Sequence, residues 1–134
     1  NIAIMVSHTS HNLYDLLERH KEGKLDCNVS MVISNHEKLR PVAEMFNIAF
    51  YHLPITKETK AAQEAQVIEL LDSNDVDLVV MARYMQILSS EFINHYPEIN
   101  QLHRTQKSHT CSKKTCRYSI YFPQTVPYYF YCKN

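Results

Sequence analysis

The sequence predicts an α/β domain built on a parallel sheet, and three observations predict it. Short apolar runs alternate with amphipathic stretches through residue 96, the connections between them are brief, and the run Leu78-Val79-Val80-Met81 is apolar on both faces. A strand with no polar face belongs in the middle of a parallel sheet covered by helices on both sides, with right-handed crossovers.

Each element follows from its own pattern. Residues 2–6 read as a buried strand. Over 12–21, Leu13, Leu16, Leu17 and His20 fall at i, i+3, i+4 and i+7, one face of a helix, with Ser10 placed to cap its start and Gly23 to end it. Residues 27–34 form a second strand, with Val29, Met31 and Ile33 assigned to one face. A helix beginning near Glu37 places Leu39, Val42, Ala43 and Phe46 inward and tolerates Pro41 in its first turn, where amides lack intrahelical acceptors. Asn47 is a left-handed stop. A third strand at 50–53 leads to a long helix over 57–73, with Ala61, Ala65, Ile68 and Leu71 inward. The central strand at 77–82 and a short helix over 89–95 complete the pattern.

In such sheets ligands bind outside the carboxyl ends of the strands, near the point where strand order reverses. The strand exits at 7–11, 34–36, 54–56 and 83–86 therefore mark the expected site.

Composition divides the chain near residue 100. The 134 residues suit one domain, and 14 basic side chains balance 14 acidic ones. All fourteen acids lie at or before Glu98 with eight Lys and Arg, a net of −6, while residues 101–134 carry six Lys and Arg and no acid. Such a split marks either a basic arm for an acidic partner or a segment not selected to fold with the rest. Cys27 stands alone, and Cys111, Cys116 and Cys132 crowd the tail, which is no disulfide framework. The opening run of five apolar residues is too short for a signal core or a membrane span, so a soluble, reducing, cytoplasmic setting is expected. Gly23 is the single glycine.

Specific words carry a resemblance. Val32-Ile33-Ser34-Asn35-His36, Leu39-Arg40-Pro41-Val42-Ala43-Glu44 and Phe50-Tyr51-His52-Leu53-Pro54 resemble the formyltransferase-like domain of the formyltetrahydrofolate deformylases. So does the thirteen-residue string from Asp77 to Ser89, Asp-Leu-Val-Val-Met-Ala-Arg-Tyr-Met-Gln-Ile-Leu-Ser, followed by Phe92 and Tyr96-Pro97. The resemblance covers residues 1–100 and implies a Rossmann-like parallel sheet, the formyltransferase fold, truncated and followed by a divergent basic and aromatic tail over 101–134. It implies 10-formyltetrahydrofolate as substrate, released as formate and tetrahydrofolate, with no bound cofactor or metal. Arg83, Tyr84, Met85, Gln86, Ile87 and Leu88 would form the folate loop. The related glycinamide ribonucleotide formyltransferases place a Gly-rich phosphate loop after the first strand, whereas Ser7-His8-Thr9-Ser10-His11-Asn12 has no glycine. That difference favours a folate hydrolase over a formyl transfer to an amine acceptor.

The resemblance also locates a departure. The family's regulatory amino-terminal domain has no counterpart here, so a catalytic-domain fragment is expected. After Tyr-Pro the family continues Ile-Asn-x-His, with an Asp some thirty-five residues on that orients the His and the attacking water. Here Asn100 aligns as the formamide-binding residue, but His103 comes one position late, and a one-residue slip on a strand turns a side chain to the other face. No carboxylate follows Glu98. A change of reading frame or a retained intron near residue 98 would account for the charge split, the missing glycines and the lost word together.

Two rival readings stand beside the hydrolase: a non-catalytic α/β binding module that keeps a residual folate loop, and a formyltransferase. His8, His11, His36 and His52 lie near adjacent strand exits, yet without a carboxylate or thiolate at ligand spacing they read as surface or hydrogen-bonding histidines. His109, Cys111, Cys116 and Cys132 are too loosely spaced for a zinc site. The basic and aromatic tail lacks the groove or stacking platform that would suit nucleic acid. A small folate is the expected partner, with neither nucleic acid nor membrane. With no strand evident after residue 100, the central strand is expected to keep an open edge and to drive self-association into a homo-oligomer.

Overall fold

The computed structural model describes residues 1–96 in full and, beyond them, only the backbone of 109–110, 119–120 and 128–132. The elements, in order, are β1 (Ile2–Val6), α1 (His11–Lys21), β2 (Val29–Ser34), a 3-10 turn (Glu37–Leu39) running into α2 (Arg40–Met45), β3 (Ala49–His52), α3 (Lys60–Ser73), β4 (Leu78–Ala82) and α4 (Ser90–His95). Three short strands follow: β5 (His109–Thr110), β6 (Ser119–Ile120) and β7 (Tyr128–Cys132). β3, β2, β1 and β4 lie side by side in that order, all parallel. The chain therefore builds outward from β1 to β3 and then crosses back to lay β4 on the other edge of β1. Strand order reverses between β1 and β4.

That reversal puts helices on both faces. Leu13, Leu16 and Leu17 of α1, with Leu39, Val42 and Ala43, cover Ile2, Ile4 and Val6 of β1. Val67 and Leu71 of α3, with Phe92 and Tyr96, cover Ala3 and Met5 on the opposite face. All five residues of β1 and of β4 are buried, as an interior position demands. Among the described residues no helix is long and apolar enough to cross a membrane.

Three helices end in the same way, with only one glycine among them. Gly23, Asn47 and Asp75 each take a left-handed conformation, with φ of 71°, 56° and 50°. In each case the residue after it donates back to the preceding helix: Lys24 to Arg19, Ile48 to Ala43 and Val76 to Leu71, at 2.9, 3.0 and 3.0 Å. These are Schellman closures, which satisfy carbonyls that the helix leaves open. Asn and Asp adopt this conformation more readily than other side-chain-bearing residues, so the scarcity of glycine does not prevent tight turns.

Four expectations need correction. Ser10 occupies the position before α1, but its backbone is already helical and its side chain makes no capping bond. Val29 does not share a face with Met31 and Ile33: a bulge between β1 and β2 shifts the register, pairing Ile2 with Val29 but Ala3 with Met31. The extra residue turns Val29 to the α1 side. The buried face of α3 is Gln63, Glu64, Val67 and Leu71, not the Ala61, Ala65, Ile68 and Leu71 stripe, and Ala61 and Ala65 are exposed.

The fourth concerns the open edge. β7 pairs antiparallel with β4 along its whole length, Leu78 opposite Cys132 through Ala82 opposite Tyr128. The tail thus supplies the central strand with its second neighbour, and the expectation of an unpaired β4 fails. Tyr, Phe and Cys in succession suit extended backbone, because aromatic residues favour strands. β5 and β6 form a separate two-stranded ladder.

Candidate functional site

The exits of β1, β2 and β4 meet where strand order reverses, and one buried serine joins them. Ser7, the residue after β1, is 1% exposed. Its hydroxyl donates to Asn35 Oδ1 at 3.0 Å and accepts from the Met85 amide at 3.0 Å. Its carbonyl accepts from Ser34 Oγ at 3.0 Å, and that hydroxyl accepts from the His36 amide at 3.1 Å. The hydroxyls of both buried serines therefore have partners, which is the condition for burying them at low cost.

The loop after β4 is set by its first residue. Arg83 has φ of 56°, a left-handed conformation that costs an arginine about 1–2 kcal/mol. The turn separates neighbouring side chains: Tyr84 enters the core at 7% exposure, while Met85 and Ile87 stay 67% and 83% exposed. Two large apolar side chains held in solvent beside a buried polar junction suit a flat, partly apolar ligand. Gln86, Leu88 and Ser89 are half-buried, and Arg83 is exposed. The six residues assigned to the loop from the sequence therefore come together at the strand-order reversal, as the topology rule requires.

The Tyr84 hydroxyl accepts from Gln63 Nε2 at 3.3 Å. Burial pushes this phenol above its ordinary value of 10.0, the Gln63 bond opposes the shift, and the nearby Glu64 charge adds to it. A phenol whose folded value is raised contributes stability that is complete below its unfolded value and is lost as pH rises toward the folded one. Thermal midpoints should therefore fall above about pH 10, and Tyr84→Phe should make that fall shallower. Cys27, whose thiol burial also raises, is common to both proteins, so the difference in slope isolates Tyr84. Melting curves between about pH 8 and 11 check this, and identical slopes would contradict it.

The histidines near the exits make local contacts. The His8 and His36 rings stand edge to face, 5.5 Å apart, and His52 Nδ1 lies 3.0 Å from Glu37 Oε2. Arg40 also pairs with Glu37, and that bond chiefly lowers the carboxyl below its ordinary range. Among the described residues no three His, Cys, Asp or Glu side chains converge on a metal position. Asn100, His103, Cys111 and Cys116 lie outside the described residues, as do the side chains of His109 and Cys132. The strand-exit rule reaches Ser7, but periodicity does not find Gln63 and Glu64, because it searches for apolar residues; the only hint is their polarity at positions that face the core.

Residues 1–105 match the Formyl transferase family. The formyltetrahydrofolate deformylase of Synechocystis sp. is 43% identical over 104 residues, which are 78% of this chain and 37% of that protein. The Bacillus subtilis deformylase is 41% identical over 96 residues, 72% of this chain and 32% of its own length. Among solved structures, the Burkholderia mallei deformylase has a TM-score of 0.68 at 43% identity, covering 69% of this chain and 33% of that one. A phosphoribosylglycinamide formyltransferase from Streptococcus pneumoniae has a TM-score of 0.62 at 27% identity, covering 72% of this chain and 52% of that one. The chain spans 37% and 32% of the two curated relatives. The folds of deformylase and transferase are nearly equally similar, so sequence identity separates them. The chain belongs to the formyl transferase family, and through residue 105 it is similar to the formyltransferase-fold domain of formyltetrahydrofolate deformylases.

Proposed function

We propose that residues 83–88 are a folate-binding loop, and that the chain derives from an enzyme hydrolysing 10-formyltetrahydrofolate to formate and tetrahydrofolate in one-carbon and purine metabolism. One observation carries this reading: in a chain of this family, the loop that exposes Met85 and Ile87 sits at the strand-order reversal. The pterin ring would lie on those two side chains, with backbone groups of 84–88 reading its polar edge. The partner is a small cytoplasmic folate, with no nucleic acid, membrane, metal or bound cofactor.

The 134-residue polypeptide is catalytically incomplete in this reading. Formamide hydrolysis needs donors aimed at the developing oxyanion and a base to activate water. Asn100 would supply one donor and His103 a displaced acid, but no carboxylate follows Glu98 to orient either the His or the water. The same facts support a second reading, a folate-binding module without catalysis. Formyl transfer to an amine acceptor is less favoured, because the turn after β1 is built on a buried serine and contains no glycine for close phosphate approach.

Titration of the isotope-labelled chain with 5-formyltetrahydrofolate tests the loop assignment. Binding is expected at about millimolar affinity, a free energy of about −4 kcal/mol, because the His of the Asn-x-His word is displaced in this sequence to His103. Amide shifts should concentrate at Ser7 and 84–88, and Ile87→Asp, at an exposed position, should abolish them with no loss of fold. Shifts confined to other segments would refute the assignment.

A further inference from the structure

The inward face of α3 carries two polar residues where the sequence led us to expect alanines. Gln63 and Glu64 are 3% and 6% exposed, as buried as the valine and leucine that follow them. Both reach the loop after β4, and they reach its opposite ends. Gln63 Nε2 donates to Tyr84 Oη at 3.3 Å and to the Leu53 carbonyl at 3.2 Å. The two Glu64 oxygens accept from the Ser89 amide at 3.1 and 3.2 Å. Ser89 in turn caps α4, its hydroxyl accepting from the Phe92 amide at 3.3 Å. Between these grips the Met85 amide is held by Ser7, and among the described residues no hydrogen bond fixes Gln86, Ile87 or Leu88.

Gln63 carries a cost in stability of its own. Gln63 Oε1 is buried without a hydrogen-bond partner among the described residues. Such a group costs free energy that a leucine in the same place would avoid. What a leucine could not do is hold the Tyr84 hydroxyl. Gln63 and Glu64 are also adjacent on one helix, so their spacing is fixed by the helix and transmitted to both ends of the loop.

We infer that Gln63 and Glu64 are positioning residues, which grip the 83–89 loop at both ends and so keep Met85 and Ile87 presented for a planar ring. Their role in folate binding rests on the folate-loop reading; their grip on the loop does not. Holding a loop in its bound shape before the ligand arrives removes an ordering cost from binding.

Amide exchange and 5-formyltetrahydrofolate titration of the full chain test this together. Glu64→Ala should speed exchange at Met85 and Ser89 about tenfold and weaken folate binding by a similar factor, the loss expected for one buried hydrogen bond to a charged group. Exchange at Ile4 and Val32 should not change. Glu64→Gln keeps an acceptor oxygen and should restore both readouts to within about twofold. Gln63→Leu fills the volume without a donor to Tyr84 or Leu53, and should speed Met85 exchange while leaving exchange at Ile4 and Val32 unchanged. Unchanged Ser89 exchange in Glu64→Ala, equal acceleration at Ile4 and Val32, or failure of both Glu64→Ala and Gln63→Leu to fold would each overturn the inference. If the unaltered chain binds no folate, the folate-loop reading fails, and the exchange pattern with its Gln rescue alone decides the grip.

Discussion

Incubated with 10-formyltetrahydrofolate, the 134-residue chain should release formate at least ~10²-fold more slowly than an intact deformylase, because one positioned acid or base contributes about 10²–10⁴-fold. In the reading proposed above, two groups of these 134 residues are affected: no carboxylate follows Glu98, and the His comes one position late, at His103. Groups that act as a unit do not lose activity additively, so the loss of one can account for nearly the whole effect. Formate measured by a coupled dehydrogenase, against a protein-free blank, provides the check. A rate within about tenfold of an intact enzyme would contradict the expectation. If His103→Ala then abolished that rate, His103 would be the group responsible.

Phe92→Ala should have the largest effect on stability. Phe92 is fully buried beneath α4, its ring 5.8 Å from that of Tyr96, and both belong to the cluster between α3 and the sheet. Tyr96 is fixed in turn by its hydroxyl, which donates to the Val76 carbonyl at 3.1 Å. Removing a buried phenyl ring costs about 3–5 kcal/mol, against total stabilities of about 5–15 kcal/mol for ordinary domains. Chemical denaturation should show a large loss or no folded baseline. The neighbouring Ile93→Ala, at a position 40% exposed, should change stability by only about 0.5 kcal/mol. Similar losses in the two variants would mean that α4 does not pack as described.

The sequence made most of the framework legible, because strands buried on both faces and helices with apolar stripes leave strong periodic signals. β1, α1 and β4 fell within one or two residues of expectation, and the loop at 83–88 lay where the topology rule puts a ligand. The errors share a physical origin. On α3 the buried positions 63 and 64 are polar, and they are buried because Tyr84 and Ser89 supply partners from twenty and more residues away. No local pattern contains that information. Val29 was misplaced because a bulge is a property of a strand pair rather than of one strand. β7 is hidden in the sequence because its aromatic run does not alternate and follows prolines at 123 and 127, features that conceal a strand at a sheet margin.

The order of the strands has a consequence for how the chain emerges from the ribosome. β1 precedes both of its neighbours β2 and β4 in the chain, and Ile2 pairs with Val29 on one side and with Leu78 on the other. At about 5–20 residues per second, β4 follows β1 by roughly 4–15 s. Throughout that interval the nascent chain carries Ile2-Ala3-Ile4-Met5-Val6 with one hydrogen-bonding edge unmatched and one set of its side chains uncovered by α3. Collapse and hairpin formation take microseconds, so a wrong partner has ample time to find the segment. An apolar strand made before both of its neighbours waits longest for the second of them, and that wait is when a ribosome-associated holdase matters most.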